Sequence, residues 1–239
     1  MNTYLRKFAR AALVATFSVA AIAAVTANTG PAPKSVKLLT ATFDARPVAQ
    51  VDVGDFHFKP GQVAPVHTHD APAVGYVAKG TIIYQVEGEA PRILRAGDAF
   101  YEPAGPRILR FDNASATGEA VFIDFNLQRS GEPFIVFDTP PTEAIDRRAQ
   151  PSVNLGGKTV STVDVYATDL PRQGELTLNA HVPTLGIVAQ GIVEIRVPGK
   201  PVQRVVAGKS FHVPTSAGPA VIANASAEIA ARVITYRLR

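Results

Sequence analysis

The chain has 239 residues, of which 46% are hydrophobic, with 24 Lys and Arg against 20 Asp and Glu and no cysteine. This composition suits a packed core and argues against disorder of the whole chain. The lack of cysteine excludes disulfide frameworks, thiolate catalysis, iron–sulfur clusters, cysteine-ligated zinc and a cysteine-acylated lipoprotein.

The first 27 residues differ from the rest and are typical of a secretory signal peptide. Basic residues at positions 6, 7 and 10 precede an uncharged run from 11 to 25, and "VTA" at 25–27 offers small residues for cleavage. The run is short for a membrane-spanning helix, which needs roughly 20 apolar residues. We expect cleavage near Ala27 and a periplasmic or secreted protein.

Removal of this segment changes the charge of the chain. It carries three of the 24 basic residues and no acidic residue, so 21 basic and 20 acidic residues remain, a net charge of +1. A nucleic-acid partner would require a basic face, and a membrane-surface protein would require a basic cluster. We therefore expect no nucleic-acid partner and, after cleavage, no membrane contact.

From residue 46 onward the chain consists of short runs typical of β-strands, such as "VDVGDFHF", "GYVAKGTIIYQV" and "EAVFIDFNL". No segment keeps a helical period over three turns, and 18 Gly and 19 Pro residues supply turns. The sequence predicts an all-β fold, either a sandwich or a closed barrel. Residues 28–45 are expected to form a leader.

An internal repeat divides the remaining chain into two copies. "VGYVAKG" at 74–80 returns as "LGIVAQG" at 185–191, and "AGDAFYEP" at 96–103 returns as "AGKSFHVP" at 207–214, both at an offset of 111 residues. This period is too long for a solenoid, so it indicates a duplicated domain. We expect domains at 46–130 and 158–239, joined by a linker at 131–157 with a short helix over 142–148.

Two histidines stand one residue apart in "PGQVAPVHTHDAPAVGYVAKG", which spans residues 60–80. In an extended strand, residues i and i+2 point to the same face, so His67 and His69 project together. Paired imidazoles are a good beginning for a metal site, although two ligands alone hold a metal poorly. The alternative is a pair of histidines that hydrogen-bond to water or backbone.

These residues resemble the cupin superfamily. Its first motif is Gly, five residues, His-x-His, three or four residues, Glu, six residues and Gly; its second is Gly, five residues, Pro-x-Gly, two residues, His, three residues and Asn. The matching positions are Gly61, His67, His69, Gly80, Gly97, Pro103 and Gly105, and the second copy repeats Gly191, Gly208 and Pro214. The resemblance implies two tandem cupin-type jelly-roll β-barrels, paired within the chain, and is compatible with a homodimer.

The chain departs from this pattern at the remaining metal ligands. The glutamate position of the first motif is Ala73, and the histidine position of the second is Ile108, with Asp112 and Asn113 near its asparagine. Metal-binding members of the family usually place three histidines and a glutamate inside the barrel. Only the two histidines of that set are present in the first copy.

The second copy has lost the histidine pair as well. At an offset of 111, Leu178 and Ala180 stand opposite the two histidines, and His181 is one residue out of register. A one-residue shift places a strand side chain on the opposite face. We expect no metal in the second domain.

Glu102 is the best candidate for a third ligand in the first domain. It lies in "AFYEP" and shares strand parity with the apolar Phe100. Two histidines and one carboxylate can hold a divalent transition metal such as Fe, Mn, Ni or Zn. The alternative is a glutamate at a strand end that forms a hydrogen bond or an ion pair, since carboxylates are rarely buried without a partner.

Five other polar residues are candidates for a site. Tyr76 and Tyr101 either line the pocket or donate a proton there, or they pack as strand tyrosines commonly do. Gln85 could offer a neutral oxygen ligand. His57, between two phenylalanines, and His212 are expected at the surface.

Two sequons, at 113–115 and 224–226, recur at the same offset and are therefore expected to be turn residues before they are glycosylation sites.

Two functions follow from the sequence. One is an exported protein that binds a small organic molecule, with a divalent metal at His67 and His69; if catalytic, it would be a dioxygenase, isomerase or lyase acting on an oxygenated or sugar-like substrate. The other is a non-catalytic binding or scaffold protein that has lost its metal site. Fold analogy alone does not decide between them.

Overall fold

The computed structural model describes residues 31–179, 181–216 and 218–239, and these residues form strands and turns without a helix. The predicted signal peptide at 1–27 and the first residues of the expected leader, 28–30, lie outside the described residues. In the described ranges, no helix is long and apolar enough to cross a membrane. The prediction of an all-β fold is confirmed.

The first copy and the segment after it contribute ten strands to the described chain. They are β1 (Lys34–Phe58), β2 (His67–Thr68), β3 (Ala73–Lys79), β4 (Thr81–Val86), β5 (Arg92–Arg95), β6 (Ala99–Glu102), β7 (Ile108–Asn113), β8 (Ala120–Gln128), β9 (Val136–Phe137) and β10 (Asp146–Ala149).

The second copy contributes the other strands. They are β11 (Val153–Leu170), β12 (Glu175–Leu178), β13 (Thr184–Gln190), β14 (Ile192–Arg196), β15 (Gln203–Val206), β16 (Ser210–Val213), β17 (Ala220–Asn224) and β18 (Ala231–Leu238).

The described strands form one large sheet that runs through both copies and two smaller sheets, one in each copy. The large sheet has nine strands in the order β16-β13-β18-β11-β1-β8-β3-β6, with β10 also paired to β1. The smaller sheets have the orders β5-β4-β7-β2-β9 and β12-β17-β14-β15. Each copy is thus a jelly roll of two facing sheets, which do not close into a barrel, and the copies pair inside one chain through β1 and β11.

Two expected segments have a different structure from the prediction. Residues 34–45, assigned to a leader, form the first part of β1 and pair with β11, as in Lys34↔Asp169 and Ala41↔Val163. The helix expected over 142–148 is wrong: residues 146–149 form β10, paired with residues 54–57 of β1. A helix of two turns is marginal on its own, whereas the free edge of β1 supplies hydrogen-bond partners at once.

The duplication seen in the sequence is reproduced in the packing. Gly75 of β3 and Gly186 of β13 each lie under an aromatic ring, and an added Cβ would stand 2.1 Å from Cζ of Phe100 and 2.2 Å from Cζ of Phe211. No side chain other than hydrogen fits at either position. In both copies, the same contact between a glycine and a phenylalanine therefore positions the edge strand, which is β6 in the first copy and β16 in the second.

The asparagines of the two sequons are buried, and each is the last residue of a strand, β7 or β17, where a turn begins. The Asn113 side-chain amide lies within hydrogen-bond distance of the backbone oxygens of Phe58, Lys59 and Gly118, at 3.2, 2.8 and 2.8 Å. Asn224 makes the equivalent contacts in the second copy, the nearest being 2.8 Å to the Ile229 oxygen. Each asparagine side-chain amide thus connects neighbouring backbone segments at the end of its small sheet.

Three hydrophobic clusters hold the molecule together. One lies between the copies and includes residues of both, with the rings of Phe125 and Tyr236 4.2 Å apart between centroids. The other two fill the interior of one copy each. The interior of the first copy is rich in phenylalanine, and this aromatic interior surrounds the candidate site.

Candidate metal site

Both histidines of the predicted pair face the interior of the first copy and are buried. His67 lies in β2, and its Nδ1 is 2.8 Å from the Pro65 carbonyl oxygen; Nδ1 of His69 is 2.9 Å from the Phe134 carbonyl oxygen. A backbone oxygen beside Nδ1 favours the tautomer that carries its proton there. The lone pair of each ring is then on Nε2, the arrangement common among metal-ligating histidines.

Glu102, the last residue of β6, brings its carboxylate to both imidazoles. Its Oε1 is 3.8 Å from Nε2 of His67 and its Oε2 is 3.2 Å from Nε2 of His69. The three side chains are buried, and one ligand atom from each lies within 4.8 Å of the others. The structure is therefore compatible with both interpretations of Glu102. Its carboxylate lies in ion-pair contact with the histidines, and the same three side chains are arranged as the ligands of a metal site.

The sheet register explains how Glu102 reaches this position. Ala73 of β3, which occupies the glutamate position of the first motif, is the direct cross-strand partner of Glu102 in β6. Side chains of directly paired residues project on the same face, and alanine leaves space beside its neighbour. The carboxylate is thus supplied from the adjacent strand. Ile108, at the histidine position of the second motif, pairs with His67 and supplies no ligand.

A fourth polar residue, Asp124, was missed by the sequence analysis. It lies in β8, is 2% exposed and lines the same cavity as the two histidines and Glu102. The signal for it was present in "AVFIDFNL": strict alternation places Asp124 on the inward face with Phe122. The acidic residue stood out less than the His-x-His pair because it belongs to neither motif.

Burial and mutual charge set the protonation of these groups. Burial alone would raise the pKa of Glu102, but the positive charge of the adjacent His69 outweighs it and holds that pKa below the usual range. Burial opposes the charge of His69, yet the Glu102 carboxylate raises the pKa of His69 to about 9. Burial and the charge of Glu102 together raise the pKa of Asp124. Without a metal, the site holds an imidazolium beside a carboxylate.

The cavity between these residues is small and has an aromatic wall. Its volume, measured as the space open to the centre of a water molecule, is about 30 Å³. That is room for an ion with one or two waters, since a single water needs roughly 10–15 Å³ on this measure. The phenylalanines that line it are Phe56, Phe58, Phe111, Phe122, Phe134 and Phe137.

Residues 131–145, expected to be part of a linker, form one wall of the cavity; we call them the covering segment. Its strand β9 pairs with β2, with Phe137 opposite His67. The Arg147 guanidinium lies 3.9 Å from the centroid of the Phe134 ring. Arg46, buried at 6% exposure, forms an ion pair with Glu132 and donates a hydrogen bond to the Asp70 carbonyl. Arg46 thus connects the covering segment to Asp70, the residue that follows His69.

The donor set fits a divalent transition metal. Glu102 Oε1 and Asp124 Oδ1 are buried atoms without a hydrogen-bond partner, and the buried His69 Nε2 has only the Glu102 carboxylate beside it, at 3.2 Å. Buried polar atoms nearly always have partners, so several such atoms around one cavity indicate a missing ligand. Two imidazole nitrogens and a carboxylate are ligands that Fe, Mn, Ni and Zn accept.

The other candidates lie elsewhere. Tyr76 and Tyr101 pack against the cluster between the copies, which confirms the packing role and not the pocket role. The Gln85 amide nitrogen donates to the Glu89 carbonyl oxygen, and Gln85 is not among the residues that line the cavity. His57 faces away from the phenylalanine core, as predicted, between Asp55 and Glu119.

His212 is not a surface residue. Its Nε2 is buried without a partner, and burial lowers its pKa. His212 is partly buried, and not at the surface as expected from the sequence, in a cavity that residues 151–154 also line.

In the second copy, apolar or uncharged residues stand at the equivalent positions. Val213 stands at the place of Glu102 and Thr235 at that of Asp124, and both are buried. Leu178 pairs with Ala220, so the strand pairing aligns it with Val66 and aligns the exposed Asn179 with His67. Ala180 lies outside the described residues, and His181 is exposed. In the described part of this copy, no group of histidines and acids with metal-binding spacing forms.

Comparison with known proteins agrees with the fold. Residues 54–126 match the family model of the Cupin domain. No curated protein sequence matches the chain. Among solved structures, AerE from Microcystis aeruginosa is similar over 87% of this chain and 98% of its own, at 16% identity and a TM-score of 0.59.

Two further structures show how varied the similar proteins are. A vicilin from Corylus avellana covers 79% of this chain and 74% of its own, at 15% identity and a TM-score of 0.57. Salicylate 1,2-dioxygenase from Pseudaminobacter salicylatoxidans covers 80% of this chain and 71% of its own, at 16% identity and a TM-score of 0.55. Residues 54–126 thus match the Cupin domain family, and the described chain has a fold similar to that of these solved structures.

Proposed function

We propose that the first copy binds one divalent transition metal through His67, His69 and Glu102. The observation that carries this proposal is the convergence of three buried ligand atoms within 4.8 Å, with both Nδ1 atoms already beside backbone oxygens. These contacts fix the rings before any metal arrives, which lowers the cost of ordering the ligands. The negative charge of Glu102 offsets part of the metal charge in an apolar interior.

We further propose that the bound metal serves chemistry on a small oxygenated organic molecule. A metal held by three protein ligands supplies a Lewis acid, or an activator of oxygen, with positions open to other ligands. The reaction classes that suit it are dioxygenase, isomerase and lyase, and a dioxygenase is among the proteins of similar fold. The phenylalanine wall excludes bulk water and would contact the apolar part of the molecule.

The covering segment has to move for such a molecule to enter. A cavity of about 30 Å³ holds little more than an ion with one or two waters. The backbone oxygen of Phe134 contacts Nδ1 of His69, so movement of this wall also changes the support of one metal ligand. Entry of the organic molecule and the orientation of His69 are therefore linked in this proposal.

Metal analysis of the purified protein tests the proposal directly. Metal-free protein is incubated separately with Fe(II), Mn(II), Ni(II) and Zn(II), desalted and analysed by mass spectrometry for bound metal. We expect about one equivalent of at least one metal in the wild type and a loss of at least tenfold in the variant with His67→Ala and His69→Ala. Less than about a tenth of an equivalent with every metal would reject the site.

The small cavity also favours a second candidate, a non-catalytic protein whose metal, if any, is structural. This function predicts that His67→Ala with His69→Ala leaves the cellular role of the protein intact as long as the variant folds. Loss of that role in a variant with unchanged thermal unfolding would exclude this candidate and support the first.

We also propose that the protein is exported to the periplasm or secreted, on the evidence of the basic and apolar pattern of residues 1–27. Cell fractionation followed by mass spectrometry of the N-terminus tests this proposal. We expect a mature protein that begins near Asn28 outside the cytoplasm; a cytoplasmic protein that keeps residues 1–27 would contradict it.

A further inference from the structure

Asp124 is a buried acid that the proposed three-ligand site does not use. The β8 strand alternates between two cores: Phe122 belongs to the interior of the first copy, whereas Ile123 and Phe125 belong to the cluster between the copies. Asp124 therefore points inward with Phe122, and it lines the cavity of the site. The backbone of β8 leaves the side chain no route to solvent on that face.

The Asp124 carboxyl lacks the partners that other buried acids have. Asp164, the buried acid of β11, accepts hydrogen bonds from Thr40 and Lys37 at 2.7 and 3.0 Å. Asp112, also buried, is 2.7 Å from Nε of Arg110. Among the described residues, nothing donates a hydrogen bond to Asp124, and its Oδ1 is fully enclosed. Such a group is costly, so a partner is expected that is not part of the chain.

The internal repeat supplies an independent observation. The position of Asp124 in the second copy is occupied by Thr235, and that of Glu102 by Val213. The scaffold contacts of the two copies are the same, yet these inward-facing ionisable groups are replaced together. Asp124 thus varies with the metal-ligand candidates and not with the scaffold, which would be unexpected for a residue with a purely structural role.

The charge balance of the proposed metal site indicates which partner Asp124 has. Two neutral imidazoles and one Glu102 carboxylate leave a divalent cation with a net charge of +1 inside a wall of phenylalanine rings. An uncompensated charge in such surroundings is unfavourable, and a second carboxylate removes it. Asp124 does not belong to the group of ligand atoms that lie within 4.8 Å of one another, so it sits beside that group.

We propose that Asp124 is the second carboxylate of the site, and that it accepts a hydrogen bond from a water or a ligand hydroxyl group held in the cavity beside the cation. This inference rests on the proposed function, since it requires a cation at His67, His69 and Glu102. It adds a chemical class for the organic ligand: a molecule that places an O–H donor between the cation and Asp124. Asp124 acts as a positioning residue and as a source of charge.

Cobalt binding by the full-length protein tests the role of Asp124. Co²⁺ is titrated into metal-free wild type, Asp124→Asn and the control Asp112→Asn, with visible absorption as the readout. We expect Asp124→Asn to weaken Co²⁺ binding by about tenfold or more, as loss of a supporting carboxylate does. The shape of the Co²⁺ spectrum should stay the same, because the three ligands remain. The control should bind within about twofold of the wild type.

Thermal unfolding of the metal-free proteins gives a second readout. Asparagine removes a buried acid without a partner, so Asp124→Asn should unfold at the same or a higher temperature than the wild type, whereas loss of a structural contact would lower it. If Asp124→Asn does not fold, Asp124→Thr takes its place, because threonine already occupies the equivalent position in β18.

Each result bears on one claim. A wild type that binds no Co²⁺ rejects the metal site and the role of Asp124 with it. A wild type that binds, with Asp124→Asn inside the range of the control, rejects the role of Asp124 alone. Weaker binding accompanied by a changed absorption spectrum identifies Asp124 as a direct ligand and overturns the hydrogen-bonding role. Weaker binding with a lower unfolding temperature identifies a structural role instead.

Discussion

The two copies of the fold have the same scaffold and different interiors. Gly75 and Gly186 pack under equivalent phenylalanines, and Asn113 and Asn224 close equivalent turns. Inside the first copy, however, ionisable groups share a cavity with aromatic rings, whereas the second copy is filled largely by aliphatic side chains. The fold does not require the polar cluster, because the second copy is complete without it.

This difference has an energetic meaning. Leu178 and Val213 gain stability from burial, whereas burial of the histidines and acids in the first copy costs free energy unless their charges are paired. Buried ionisable side chains gathered around one cavity are the residues expected of a functional site.

Giving three positions of the first copy the residues that stand 111 positions later in the sequence should remove its metal site. In the variant with His67→Leu, Glu102→Val and Asp124→Thr, we expect metal affinity to fall by about 100-fold or more, because two ligands and the second carboxylate are lost. The metal-free variant should unfold at a temperature no lower than the wild type. Calorimetric titration and circular dichroism measure the two effects, and retained stoichiometric binding would show that the metal lies elsewhere.

Metal affinity should rise with pH between about 6.5 and 9. The Glu102 carboxylate raises the pKa of His69 to about 9, so a metal must displace a proton from this imidazole over that range. The affinity should rise by up to about tenfold per pH unit and level off above that pKa. The protonated His69 also stabilises the metal-free fold; this contribution is full below pH 6.5 and is lost as the pH rises through 9. Affinity that is flat across this range would contradict the coupling.

Adding a methyl group under either phenylalanine should destabilise the protein to a similar degree in both copies. In Gly75→Ala and Gly186→Ala the new Cβ would overlap the rings of Phe100 and Phe211, and we expect a loss of about 2–3 kcal/mol in each case. Urea unfolding measures the free energy. A large difference between the two variants would show that the copies do not share this scaffold contact equally.

Loosening the covering segment should have the smallest effect. Arg147→Ala removes the stacking of the guanidinium on Phe134, a contact of about 0.5–1 kcal/mol at an exposed position. We expect faster amide hydrogen exchange in residues 131–145 with nearly unchanged overall stability. Arg148→Ala is the control, because Arg148 contacts the exposed Asp146. Equal exchange in the two variants would show that the stacking does not hold the segment.

The sequence predicted the fold well because the information is local and repeated. Alternating runs, turn residues and a constant offset of 111 each required only nearby residues or a comparison of the chain with itself. The extent of β1 could not be predicted in this way. Residues 34–45 have no clear alternation that marks them as a strand, and their partner, β11, lies in the other half of the chain.

Only part of the site could be predicted from the sequence, again because only local information was accessible. His67, His69 and Glu102 were identified from spacing and parity, and the structure brings these residues together. The roles of Asp124 and of the covering segment depend on contacts between residues far apart in sequence, such as Phe134 with His69. The expected linker contains Pro140 and Pro141 and lacks a long apolar run, so nothing local indicated that it covers a cavity.

The length of β1 has a consequence for how the chain folds. Its N-terminal part pairs with β11, and contacts such as that between the Ser35 and Thr168 hydroxyls join residues 133 apart in sequence. The first described strand cannot complete its hydrogen bonds until β11, the first strand of the second copy, has been synthesised, and pairing over such distances is slow. The two copies should therefore unfold in one cooperative transition, and a cut between residues 45 and 46 would divide a single strand and not separate two domains.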